Sequence, residues 1–201
     1  MIIRKKSKNK FNLFDEYKEC FKYIKESNKF IYLAIGIFFF FSLFGYFIPA
    51  PESIYQTIMN FINELVEQTQ NMSQFELIRF IIFNNVKSTL FGILFGILFG
   101  IFPLISTIAN GYILGFVALL SVKTSGLITL WKILPHGIFE LPAVFISLGL
   151  GVKMGTFIFQ KKKFKSFIDY FIKSLKVFLL IIVPLLIIAG IIEGTLITLL
   201  D

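Results

Sequence analysis

The chain has 201 residues, 56% of them hydrophobic and 27 of them Phe, with a formal charge of +8 and a mean hydropathy of +0.81. Only 16% of its residues are charged, where a soluble domain carries about 25%, and the 35 residues from Ser88 to Val122 carry no charge at all. These figures exclude a soluble enzyme and a disordered chain, and the lone Cys20 excludes a disulfide-stapled domain or a thiolate metal cage. The fold class that remains is an all-α, polytopic transmembrane bundle of about five spans with interfacial amphipathic helices.

Residues 1–29 carry nine Lys/Arg against four acids, a net +5. Phe14, Tyr17, Phe21 and Ile24 give this stretch a short apolar face, and Cys20 reads as a buried apolar residue. Lys and Arg concentrate on the cytoplasmic side of membranes, so 1–29 is read as a cytoplasmic basic segment. The bundle then occupies 30–201. Its first span, 30–48, has 19 uncharged residues, enough to cross about 30 Å of hydrocarbon. The basic stretch before it is too long for a signal peptide, and Pro49-Ala50-Pro51 offers no small-x-small cleavage site.

An amphipathic loop at 49–87 follows, net −2. Ile54, Ile58, Phe61, Ile62, Leu65 and Val66 share one helical face, with Glu64 and Glu67 opposite. Glu64 and Glu67 are the candidate partner surface. A second helix begins at Ser73, where Ser73-Gln74-Phe75-Glu76 has capping-box form. Asn84 and Asn85 are expected near the outer surface, at the level of His136, placed to donate to Glu140 or to the Ile138 carbonyl.

The uncharged stretch must cross twice. The block 153–176 is net +6 and also reads as inner, so an even number of crossings separates it from 1–29. Spans are therefore expected at 88–106 and 108–122, with the turn between Pro103 and Gly111 and Asn110 capping a helix there. Gly92, Gly96 and Gly100 form a small-residue stripe for close helix packing, matched on the fourth span by Ala143, Ser147, Gly151 and Gly155. Residues 124–134 are expected as an outer loop or a half-helix, the fourth span at 135–152 and the fifth at 177–200. Between the last two, the inner basic loop places Phe164, Phe167, Phe171 and Ile172 opposite Lys165, Asp169 and Lys173.

His136 and Glu140 stand one helical turn apart in the fourth span, on the face of Ser147 and Gly151. A carboxylate at that depth is costly unless paired or protonated. Pro135 suits a first helical turn, Gly137 thins the face, and Pro142 frees the carbonyl of Ile138. Two ligands fall short of the three a zinc site needs, and no GxSxG elbow supplies a nucleophile. The pair reads as a structural polar lock, with proton-coupled transport and catalysis as the open alternatives. Glu193, near the end of the fifth span, reads as hydrated.

Phe83-Asn84-Asn85-Val86, Asn110-Gly111 with Gly115, Pro135-His136-Gly137-Ile138-Phe139-Glu140-Leu141-Pro142-Ala143 and Gly149–Gly151 resemble the stage II sporulation protein M family. The resemblance covers roughly 30–200. It implies a multipass membrane protein without an identified catalytic activity. In sporulating bacteria such proteins are membrane subunits of a cell-wall remodelling assembly that recruits peptidoglycan-degrading enzymes.

The chain is thus expected in the cell membrane, amino terminus cytoplasmic and carboxyl terminus outside, as a non-enzymatic subunit or scaffold. No catalytic residue, metal or cofactor is expected. The expected partners are membrane lipid, membrane or extracytoplasmic proteins and a second copy of the chain. Nucleic acid is not among them, because the basic blocks flank apolar spans instead of forming one patch on a polar domain. The alternative is a small proton- or ion-coupled transporter or channel using Glu140 and His136.

Overall fold

The computed structural model describes residues 12–127 and 130–200, and the side chains of 130–136 and of 200 lie outside that description. The helices are α1 (Leu13–Glu26), α2 (Asn28–Phe47), α3 (Glu52–Thr69), α4 (Gln74–Leu94), α5 (Ile101–Ser125), α6 (Leu130–Gly155), α7 (Lys163–Val177) and α8 (Val183–Leu200). Among the described residues five helices are long and apolar enough to cross a membrane: Asn28–Phe47, Gln74–Ile97, Ile101–Ser125, Gly137–Phe159 and Lys163–Leu199. No strand occurs among those residues. In lipid this is the expected solution, because a helix satisfies its own backbone groups.

Two span boundaries differ from the sequence expectation. The second span begins at Gln74, not at 88. Ser73 and Glu76 close a capping box there, and no Gly or Pro follows until Gly92 to interrupt the helix. Asn84, Asn85 and Lys87 therefore lie within a span, not in the loop before it. The turn between the second and third spans falls at Leu98–Gly100, not between Pro103 and Gly111. Gly100 takes φ 72° and Phe99 φ 56°, a left-handed pair that only glycine adopts without cost; at Phe99 it costs about 1–2 kcal/mol. Asn110-Gly111 stays helical because Gly111 is used for packing: a Cβ there would strike the Phe38 carbonyl of α2. Asn110 caps nothing; its Nδ2 donates to the Ser106 carbonyl at 2.9 Å within α5.

The stretch 124–134 is mostly helix end. α5 runs to Ser125, Gly126 stops it with φ 80°, and α6 has begun by Leu130. Instead of an isolated loop helix, α7 continues into α8 through a π-helical turn at Phe178–Ile182. Pro184 lacks the N–H that an α-helical ladder needs, and the wider turn just before it absorbs that defect.

α6 is the most enclosed of the five spans. It touches α2, α4, α5 and α8, while α2 packs along α5 and α4 along α8. These contacts are backbone-close where small residues allow it. A Cβ on Gly45 would strike the Tyr112 carbonyl oxygen, and one on Gly96 the carbonyl oxygen of Gly151. Lipid tails are as apolar as the side chains, so such close van der Waals contact, more than hydrophobic burial, holds spans together. The core gathers Ile93, Leu150, Met154, Val177, Ile182 and Leu186, closed at one end by Cys20 and Tyr23 of α1. The buried face of α1 is thus Cys20–Tyr23–Ser27, while Phe14 and Phe21 are exposed.

Candidate functional site

Two polar centres lie along α6, one at its carboxyl end and one in its amino-terminal half. At the end covered by α1 and α7, Lys153 is only 7% exposed. Its Nζ donates to Ser27 Oγ at 2.9 Å and sits 3.9 Å from the Tyr23 ring centroid. Ser27 Oγ in turn donates to the Tyr23 carbonyl at 2.6 Å, and the Tyr23 hydroxyl reaches the Tyr170 carbonyl at 3.4 Å and Ser174 Oγ at 3.5 Å. Burial pushes the Tyr23 hydroxyl above its ordinary range, against a smaller lowering by its hydrogen bond with Ser174. Burial likewise raises the Cys20 thiol, against the Lys176 charge. Lys176 pairs with Glu16 and Glu19 across the α1–α7 contact. One amine thereby joins α6 to the α1–α2 junction, and the rings of α1 and α7 supply the cation–π surface that an unpaired buried charge needs.

In the amino-terminal half of the helix, Glu140 of α6 and Glu193 of α8 are both half-buried and within electrostatic range of one another. The Oε2 atom of Glu193 is buried without a hydrogen-bond partner among the described residues. Glu193 is therefore not the hydrated terminal residue its sequence position suggested. Gly190 and Gly194, set against Ile82 and Ile78 of α4, draw α8 inward and carry Glu193 into the bundle. Among the described residues no three His, Cys, Asp or Glu side chains gather as a metal site.

The residues singled out from sequence divide between these centres and the packing seams. Gly92 faces Ser147 and Leu148, and Gly96 faces Gly151. Gly100 lies in the turn against Val152. Ser147 Oγ donates to the Thr89 carbonyl, a polar joint between α6 and α4. The two stripes thus meet each other. Asn84 and Asn110 are exposed and Asn85 is half-buried, and no side-chain hydrogen bond joins any of them to Glu140 among the described residues. Pro142 is exposed, and a Cβ on Gly137 would meet only Leu141, at 3.5 Å. Glu64 and Glu67 are exposed on α3, where Glu64 accepts from Gln68 at 3.2 Å. The side chains of Pro135 and His136, and with them the His136–Glu140 lock, lie outside the described residues.

The amino-acid sequence has counterparts among known proteins. The family model for stage II sporulation protein M matches residues 34–197. The chain belongs to that family. An uncharacterised protein of Methanocaldococcus jannaschii is 33% identical to it over 203 residues, 91% of each chain. No solved structure matches it. This member of the stage II sporulation protein M family is a multipass membrane protein, and the match spans α2 to α8 apart from their outermost residues.

Lys153 belongs by charge to the basic block 153–176, but it follows Gly149–Gly151 without a helix breaker and stays on α6. The signal for Glu193 is Gly190 and Gly194, which mark a small-residue seam beside it.

Proposed function

We propose that this protein is a non-enzymatic membrane subunit that holds partner proteins, with the Lys153 end of the bundle cytoplasmic and the carboxyl terminus outside. The observation that carries this reading is α3. Of its apolar face only Ile58 is buried, while Ile54, Phe61 and Val66 stay exposed, and Glu64 and Glu67 project on the polar side. A long helix that meets the glycine-packed bundle chiefly through Ile58 and through Tyr55 against Phe116, with one face apolar and the other acidic, suits docking at the membrane surface. The orientation is supported by α1 and α7 lying at one end, since both basic blocks then fall on the same side. Membership in a family associated with cell-wall remodelling favours an envelope partner outside the cytoplasm.

The test is purification of the intact chain from its native membrane, with co-purifying proteins identified by mass. A specific envelope protein is expected with the wild type, and Glu64→Lys with Glu67→Lys is expected to reduce its yield several-fold without lowering the chain's own melting temperature. An unchanged set of proteins in the double variant would overturn the role of this surface. Cysteine accessibility from each side of sealed vesicles tests the orientation separately.

One observation favours a second reading, proton- or ion-coupled transport. Two carboxylates at membrane depth repel one another and are each costly in lipid surroundings, and a proton or a cation between them relieves both. Reconstituted vesicles should then show a pH-dependent flux that Glu140→Gln or Glu193→Gln abolishes. Absence of flux across protons and common monovalent and divalent cations would remove this reading.

A further inference from the structure

Lys87 is an exposed cation in the middle of a span. It is the fourteenth of the 24 residues of Gln74–Ile97, about 20 Å from one end and about 15 Å from the other at helical rise. Two residues along α4, the Thr89 carbonyl accepts from Ser147 of α6, and five residues before Lys87, Ile82 packs against Gly190 of α8, so this height lies within the body of the bundle. The Lys87 Nζ lies 6.0 Å from the Phe91 ring centroid and has no carboxylate within ion-pair reach among the described residues. Asn84 and Ser88, both exposed, flank it, and Phe83 and Phe91 bound the patch above and below. A lysine facing hydrocarbon at this depth costs about 3 kcal/mol on insertion scales. Both ends of the span are further away than a lysine side chain extends, so snorkelling to headgroups does not relieve it.

The geometry points to an intersubunit site: the Asn84–Lys87–Ser88 face of α4 receives a transmembrane helix of a different protein that carries a carboxylate at mid-depth. Charge complementarity selects this occupant. A second copy of the chain would bring another Lys87, and the carboxylates in the body of its spans, Glu140 and Glu193, are half-buried inside its own bundle. The apolar acyl region of the bilayer offers no anion. A carboxylate on a partner helix neutralises Lys87, while Asn84 and Ser88 hydrogen-bond across the contact and fix its register. The inference rests on the reading of the chain as a partner-binding membrane subunit and supplies that reading with a binding face inside the membrane.

The test uses the intact chain in phosphatidylcholine nanodiscs and a fluorescent poly-leucine transmembrane peptide bearing Asp at its centre. The same peptide with Leu at that position is the control. The wild type is expected to retain the Asp peptide about tenfold more than the Leu peptide, a difference of about 1.4 kcal/mol. Lys87→Leu should abolish the preference, Lys87→Arg should keep it, and Lys87→Leu should melt no lower than the wild type, since it removes a lipid-facing charge. Equal retention of the two peptides, or a preference that survives in Lys87→Leu, would overturn the proposal. So would self-cross-linking through Asn84→Cys in nanodiscs loaded with two chains, because a second copy would then occupy the face. The outcome is separable from the broader reading: partners that still co-purify from native membranes with Lys87→Leu leave the subunit role standing and remove only this face.

Discussion

The two polar centres of α6 handle charge in opposite ways. At the Lys153 end the amine has an oxygen acceptor and an aromatic face, and α1 and α7 close over it. At the Glu140 end two carboxylates share one region and Glu193 Oε2 has no partner among the described residues. Along α6 the glycines follow the same division. A Cβ on Gly151 or Gly155 would collide with backbone of α4 or of the turn after it, whereas one on Gly137 makes only ordinary contact. A buried amine with an oxygen acceptor and an aromatic face, set in a tight seam, is a structural joint. A half-buried carboxylate pair with an unpartnered oxygen is where a proton, an ion or another chain has something to add.

The sharpest way to break this contrast is to unpair the amine. Ser27→Val removes the oxygen that accepts from Lys153 and should lower the protein's stability in detergent by about 3 kcal/mol. Adding Lys153→Met, which removes the charge and keeps most of the volume, should restore most of the loss in a thermal melt. If Ser27→Val melted like the wild type, Lys153 would not be a joint. The next effect compares glycines on the one helix. Gly151→Ala should cost about 1–3 kcal/mol, because it forces α6 away from the Gly92 carbonyl. Gly137→Ala should leave the melting temperature unchanged or raise it by the equivalent of about 1 kcal/mol at most.

A smaller effect is expected at the open end. Glu193→Gln removes one of two like charges and should shift stability by less than about 1 kcal/mol, far less than Ser27→Val. A large loss there would mean that the carboxylate pair is itself a structural joint. The smallest is a pH effect at Cys20. Burial raises its thiol pKa, so the folded state favours the neutral thiol. That contribution is complete below the ordinary thiol pKa and fades as pH rises through the raised one. Maleimide labelling of the folded protein should therefore stay slow at neutral pH and accelerate only in alkali or on unfolding.

Much of the fold could be read directly from the residues. Apolar run lengths and the parity of crossings between two basic blocks gave five spans, and the glycine stripes of the second and fourth spans meet as their spacing implied. The boundaries were harder to read. Asn110-Gly111 has the composition of a turn, and only the proximity of Phe38 explains why it remains helix. Lys87 has the character of a loop residue, and only the uninterrupted helix from the Ser73 cap carries it to mid-span.

The candidate site was less legible, since each of its groups draws its meaning from another helix. Glu140 stood out because a carboxylate in an apolar run is rare, but nothing local links it to Glu193, 53 positions later. Lys153 and Ser27 are 126 positions apart and look like ordinary residues of a basic flank. Composition and charge order by themselves determined a multipass helical membrane protein, because the solvent a helix requires is written in its own side chains. Tertiary structure alone decided which charges are partnered, because that depends on which helices the glycines allow to touch.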